Sequence, residues 1–119
     1  MNLQTINDIA SELFDALNQQ KIIQPLTDRY AEIDINDAYQ ISRKFLSLRE
    51  SGGEKVVGKK IGVTSSVVQE MLGVDQPDFG FLTDTMRVQN RSSFSIEDSL
   101  IQPRAEAEIA FILKEDLLG

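Results

Sequence analysis

Apolar residues recur at three- and four-residue steps through roughly the first half of the chain, then begin to alternate with polar ones, so helices are expected first and strands after them. Leu3, Ile6, Ala10, Leu13 and Leu17 predict a helix over residues 3–19, with Thr5 and Asp8 as a variant capping box. A connector containing Pro25 follows. Ala38, Ile41, Phe45 and Leu48 predict a second helix over 36–51, capped by Asp34 or Asn36 and stopped by Gly52-Gly53. Both stripes read as packing surface. Beyond Gly53, residues 56–63 read as a strand, and Thr64-Ser65 as the cap of a short helix over 66–72 closed by Gly73. Residues 74–80 look like a loop punctuated by Pro77 and Gly80. Phe81-Leu82 and residues 86–88 predict short strand pieces, 90–93 a turn, and the run after Pro103 a final strand.

This order predicts an α+β fold: an N-terminal helical region over 1–53, then the first part of a mixed, mostly β region over 54–119. The final strand needs cover on both faces, because 109–113 is continuously apolar. Little chain follows it, so the cover is expected from a longer protein or from another copy.

Charge and composition narrow the chemistry. Nineteen acids against twelve bases leave a net charge of -7, which argues against nucleic acid as the partner and favours a small molecule. With no cysteine there is no zinc-thiolate site or thiol nucleophile, and with no histidine no Ser-His pair or imidazole ligand. Acid-base work must fall to carboxylates, lysine, tyrosine or metal-bound water. The N-terminus lacks the basic stretch of a secretory signal and no apolar run reaches membrane-spanning length, so no membrane partner and a cytoplasmic location are expected.

The strongest chemical signal is Pro103-Arg104-Ala105-Glu106-Ala107-Glu108-Ile109-Ala110-Phe111. Strand alternation puts Glu106 and Glu108 on one face, with Arg104, while Ala105, Ala107, Ile109, Phe111 and Leu113 form an apolar face opposite. Two neighbouring carboxylates repel unless a cation lies between them, and a hard, oxygen-seeking ion such as Mg2+ or Mn2+ would serve. Arg104 could hold the pair or a substrate carboxylate, or form a simple salt bridge. In Gly58-Lys59-Lys60-Ile61-Gly62, Lys60 shares its face with two glycines that leave room for a ligand, and beside a metal its pKa would fall. The competing reading is a solvated lysine. Lys59 falls on the opposite face. Asp75 and Asp78 flank Pro77, as turn formers or as a general acid-base at a cleft rim.

Taken together, the blocks Gly58-Lys59-Lys60-Ile61-Gly62-Val63-Thr64-Ser65, Met71-Leu72-Gly73-Val74-Asp75-Gln76-Pro77-Asp78-Phe79-Gly80 and Leu100 through Phe111 resemble the 2-keto-4-pentenoate hydratases of the fumarylacetoacetate-hydrolase superfamily. The likeness extends, more loosely, to the N-terminal helices and covers the first half of a typical member. It implies a fumarylacetoacetate-hydrolase-like fold, ring-like homo-oligomers, and Mg2+ or Mn2+ held by Glu106, Glu108 and a third acid further along. That third acid has no counterpart here, since Glu115 and Asp116 lie too close to Glu108. The resemblance assigns catalysis to Lys60 and Asp78, and substrate contacts to Arg104, Thr64 and Ser65. The implied reaction is hydration of 2-hydroxypenta-2,4-dienoate, a product of aromatic meta-cleavage, to 4-hydroxy-2-oxopentanoate. The metal would chelate the substrate carboxylate and 2-oxygen. Competing expectations are a 4-oxalocrotonate decarboxylase, an acylpyruvate hydrolase, or a non-catalytic truncated assembly module.

Overall fold

The structure, a computed structural model, describes residues 1–97 and 100–116. Two long helices pack against each other, and a two-stranded antiparallel sheet extends from the end of the second. The α+β class expected from the sequence therefore holds. The last three residues of the expected 54–119 region lie outside the described residues.

Helix α1 is Leu3–Asn18. Asn2 caps it, accepting from the Thr5 backbone N–H at 2.8 Å, so the cap lies one turn earlier than Thr5 and Asp8 would place it. A short helix, α2 (Leu26–Arg29), follows Pro25, and helix α3 spans Ile35–Ser51. Asp34 and Asp37 close a full capping box on α3, each side chain accepting from the other's backbone N–H. Asp37 also takes the N-terminal ammonium at 2.8 Å, and this hydrogen bond outweighs the burial that opposes it and holds the Asp37 carboxyl below its usual range. The core between α1 and α3 is Ile6, Ile9, Ala10 and Ile41, flanked by half-buried Leu13, Phe45 and Leu48. Phe14 meets Phe45 edge to face, ring centroids 6.4 Å apart. The buried stripe on α1 includes Ile9, which the sequence stripe omitted, and leaves Leu3 and Leu17 exposed at the helix ends, away from the core formed by the middle of the helix.

Strand β1 (Val56–Gly62) pairs antiparallel with β2 (Asp78–Thr83), and the crossover between them carries helix α4 (Ser66–Leu72). A bulge at Val57 shifts the register. β2 starts at Asp78, so Asp78, Phe79 and Gly80 are strand rather than loop. Their pairing with Gly62, Ile61 and Lys60 overrides the local turn signal of Pro77. Residues 84–86 form a 3-10 turn instead of opening a strand, and 105–113 run without a strand partner among the described residues. The period-two pattern there is real, but a strand forms only against another strand. Ile109, Phe111 and Ile112 are consequently 83%, 84% and 98% exposed.

The sheet is fastened to the helices by one polar knot. The buried Arg49 guanidinium, near the end of α3, bonds Glu54 at 2.8 and 2.9 Å and Thr83 Oγ1 at 3.0 Å. Thr85 Oγ1 donates to the same Glu54 oxygen at 2.9 Å, and Lys55 and Asp84 exchange two further bonds beside it. Burial pushes the Glu54 pKa up, but the hydrogen bonds from Arg49, Thr83 and Thr85 outweigh it and hold the carboxyl below its usual value of 4.5. Removing Arg49 takes the only cation from Glu54 among the described residues and leaves it and Thr83 with the Thr85 hydroxyl alone, and Arg49→Ala is expected to cost about 3 kcal/mol. Because the folded pKa is lowered, the Glu54 contribution is present above pH 4.5 and lost as pH falls through the lower folded value. Thermal melts of wild type and Glu54→Gln should therefore differ near pH 7 and converge in acid; a gap unchanged with pH would contradict this role for Glu54.

Candidate functional site

The pairing register decides which side chains share a surface. Gly58 faces Leu82, Lys60 faces Gly80, and Gly62 faces Asp78, so all six lie on one face of the sheet. Lys59 and Ile61 lie on the other face with Phe81 and Phe79. Phe79 stacks on Tyr39 of α3, ring centroids 4.7 Å apart at 19°, so that second face looks toward the helices. The first face therefore points away from them.

On that outer face Lys60 meets the acid pair. Its Nζ lies 3.3 Å from Glu106 Oε2 and 3.7 Å from Glu108 Oε1, across 46 residues of sequence to the nearer acid. The two carboxylates converge on a single cation, which offsets the repulsion between them. The hydrogen bond and charge of Glu106, followed by the charge of Glu108, push the Lys60 pKa above its ordinary value. That is the opposite of the fall expected beside a metal, because here the ammonium's nearest neighbours are anions.

Asp78 is one diagonal step from Lys60 on the same face. Its carboxylate leans over Gly62: a Cβ built there would sit 2.6 Å from Asp78 Oδ1. Nothing lies within 4 Å of the equivalent position on Gly80, opposite Lys60, so the space beside the lysine is open. The sequence pointed to the glycines flanking Lys60; Gly80, contributed by the partner strand, was invisible without the register.

The remaining candidates are dispersed. Val63, between β1 and α4, holds φ +54, a left-handed conformation that costs a β-branched residue of order 1–3 kcal/mol. The Gln69 amide braces it by donating to the Val63 carbonyl at 2.8 Å. Immediately after it, Thr64 is exposed, and Ser65 Oγ accepts from the Val68 N–H at 3.2 Å as the α4 cap. Gly73, at φ +69, ends α4. Asp75 is exposed in a bend. Arg104 is exposed and makes no ion pair with Glu106 or Glu108 among the described residues. Lys60, not the adjacent arginine, gathers the acids.

Glu106 and Glu108 present oxygen donors only, the set a hard divalent ion prefers, and they already converge on a positive charge. They fit such an ion as two of its ligands. Among the described residues no third acid joins them to complete a cluster of three. No helix of the described residues is long and apolar enough to cross a membrane.

Comparison with known proteins bears out the resemblance drawn from the sequence. No family model matches the chain. It is 53% identical over 119 residues to a 2-hydroxypent-2,4-dienoate hydratase of Pseudomonas putida, covering all of this chain and 54% of that protein. It is 53% identical over 117 residues to a 2-hydroxyhexa-2,4-dienoate hydratase of Comamonas testosteroni, 98% of this chain and 44% of the relative. A 2-keto-4-pentenoate hydratase of Paraburkholderia xenovorans (strain LB400) is 43% identical over 117 residues. The chain thus spans about half the length of the curated relatives it matches. Among solved structures, it resembles 4-oxalocrotonate decarboxylase from Pseudomonas putida G7, complexed with magnesium and adipate. The TM-score is 0.69 at 28% identity, covering 71% of this chain and 32% of that one.

The glycine geometry gives a direct check on the Asp78 side of the face. Gly62→Ala should keep the hairpin but force the Asp78 carboxylate to rotate, whereas Gly80→Ala should move nothing. Crystal structures of the two variants decide it; an unmoved Asp78 in Gly62→Ala would refute the close approach.

Proposed function

We propose that these residues form the first half of a hydratase site that adds water to 2-hydroxypenta-2,4-dienoate, giving 4-hydroxy-2-oxopentanoate. The observation that carries this reading is the meeting of Glu106 and Glu108 at Lys60, on an open glycine-lined face shared with Asp78. The names of the similar proteins support it: those at 43% identity and above are hydratases of this substrate class.

Glu106 and Glu108 would hold Mg2+ or Mn2+; the similar decarboxylase structure contains magnesium. When bound, such an ion polarises a carboxylate and neighbouring oxygen of an oxo-acid and offsets the negative charge of the protein toward an anionic substrate. Lys60 and Asp78 sit as diagonal cross-strand neighbours, a separation of about 7–8 Å in such pairs, which lets a five-carbon acid lie between them. Between them they move the proton from the 2-hydroxyl to the terminal carbon, shifting the double bond to lie between the third and fourth carbons, and add water across it, its hydroxyl to the fourth carbon and its proton to the third. Thr64 and Arg104, both exposed, are the proposed substrate contacts. Ser65 contributes through its place in the turn, its oxygen being engaged as the α4 cap. We assign the site to a cytoplasmic enzyme. The exposed apolar run 109–113 suits association with further protein, and we assign it to a homo-oligomer.

A chimera tests the assignment. These 119 residues would replace the matching part of the Pseudomonas putida relative. With magnesium, it should consume the dienoate, read as loss of its ultraviolet absorbance. Glu106→Ala with Glu108→Ala should abolish turnover, and Lys60→Met or Asp78→Asn should lower kcat by about a hundred- to ten-thousandfold. Release of carbon dioxide from 4-oxalocrotonate, with the dienoate untouched, would replace hydration by decarboxylation.

A further inference from the structure

The cation that joins Glu106 to Glu108 in this structure is part of the protein. Lys60 is fixed by its place in the middle of β1, opposite Gly80, and its flexible stem carries the ammonium to both acids. Among the described residues the segment bearing the acids has no strand partner to hold it. Arg104, nearer in sequence, pairs with neither acid among the described residues, and Lys59 lies on the opposite face. A divalent ion bound to carboxylate oxygens would sit about 2 Å from them. An ammonium 3.3 and 3.7 Å from the same two carboxylates occupies that neighbourhood, and two cations side by side repel. The open space at Gly80 gives the lysine somewhere to go.

Resting on the reading that Glu106 and Glu108 bind a divalent cation, we propose that Lys60 is the built-in occupant of that cation's place, displaced when the metal enters. Metal entry and release of Lys60 toward the open face are then one event. Without metal, the lysine is held as a counter-ion to the acids. With metal, it is freed for the substrate, so the group that moves protons becomes available only in the loaded site. The arrangement also keeps the two acids together before the metal arrives, at the cost of competition for them.

The test is calorimetric titration of the chain with manganese chloride at constant pH and ionic strength, comparing wild type, Lys60→Met and Lys59→Met. Lys60 is half exposed, so its replacement leaves the fold in place, which a circular dichroism melt confirms. Exposed ion pairs are weak and the two share one ammonium, so loss of both predicts about three- to tenfold tighter Mn2+ binding in Lys60→Met. Lys59→Met removes the same charge on the other face and should stay within about twofold of wild type, since solvent screens it. Equal gains in the two variants, or no gain in Lys60→Met, would overturn the displacement idea while leaving the metal site standing. Absence of manganese binding in all three proteins would overturn the metal site itself, and the displacement with it.

Discussion

Two carboxylates two residues apart share one ammonium, and the functional reading of the outer sheet face depends on that contact. Among the described residues Glu106 and Glu108 have no ladder to hold them in place. They are gathered by the ammonium of Lys60, projected from the middle of β1. That position is useful only because glycines at 58, 62 and 80 keep the surrounding face low, and because the register brings Asp78 to the same side. A shift of one residue in the pairing would turn Lys60 toward the helices and bring Lys59 outward, separating the lysine from both acids.

The hairpin is joined to the helices through the polar knot at Arg49. Nearly all apolar burial is between α1 and α3, and the hairpin contributes no fully buried apolar side chain of its own. Its firm anchors to the helices are the Tyr39–Phe79 stack and the bonds of Arg49 to Glu54 and Thr83. A buried charge network of this kind adds little stability over an apolar substitute, but it is directional. It ties the end of β2 to the end of α3.

What could be read from the sequence was local. The helices at 3–18, 35–51 and 66–72 declare themselves through stripes, caps and terminal glycines, all set by neighbours within a few residues. Strand β1 and the same-face grouping of Gly58, Lys60 and Gly62 follow from alternation alone. The acid pair was legible as a motif. Its partner was not, because nothing local joins Lys60 to a residue 46 positions away. Local signals place Asp78 in a loop, since Pro77 dominates its neighbourhood, whereas pairing with Gly62 governs its conformation. The 105–113 segment fails in the other sense: its pattern is that of a strand, but the partner that would make it one is not among the described residues.

Everything functional rests on Glu106 and Glu108 acting together on one ion. The most direct measurement is anomalous diffraction from crystals grown with manganese. Expected is a single strong peak bonded to one oxygen of each carboxylate, with the Lys60 ammonium moved away. Two side chains turned apart, with no peak near either, would contradict it.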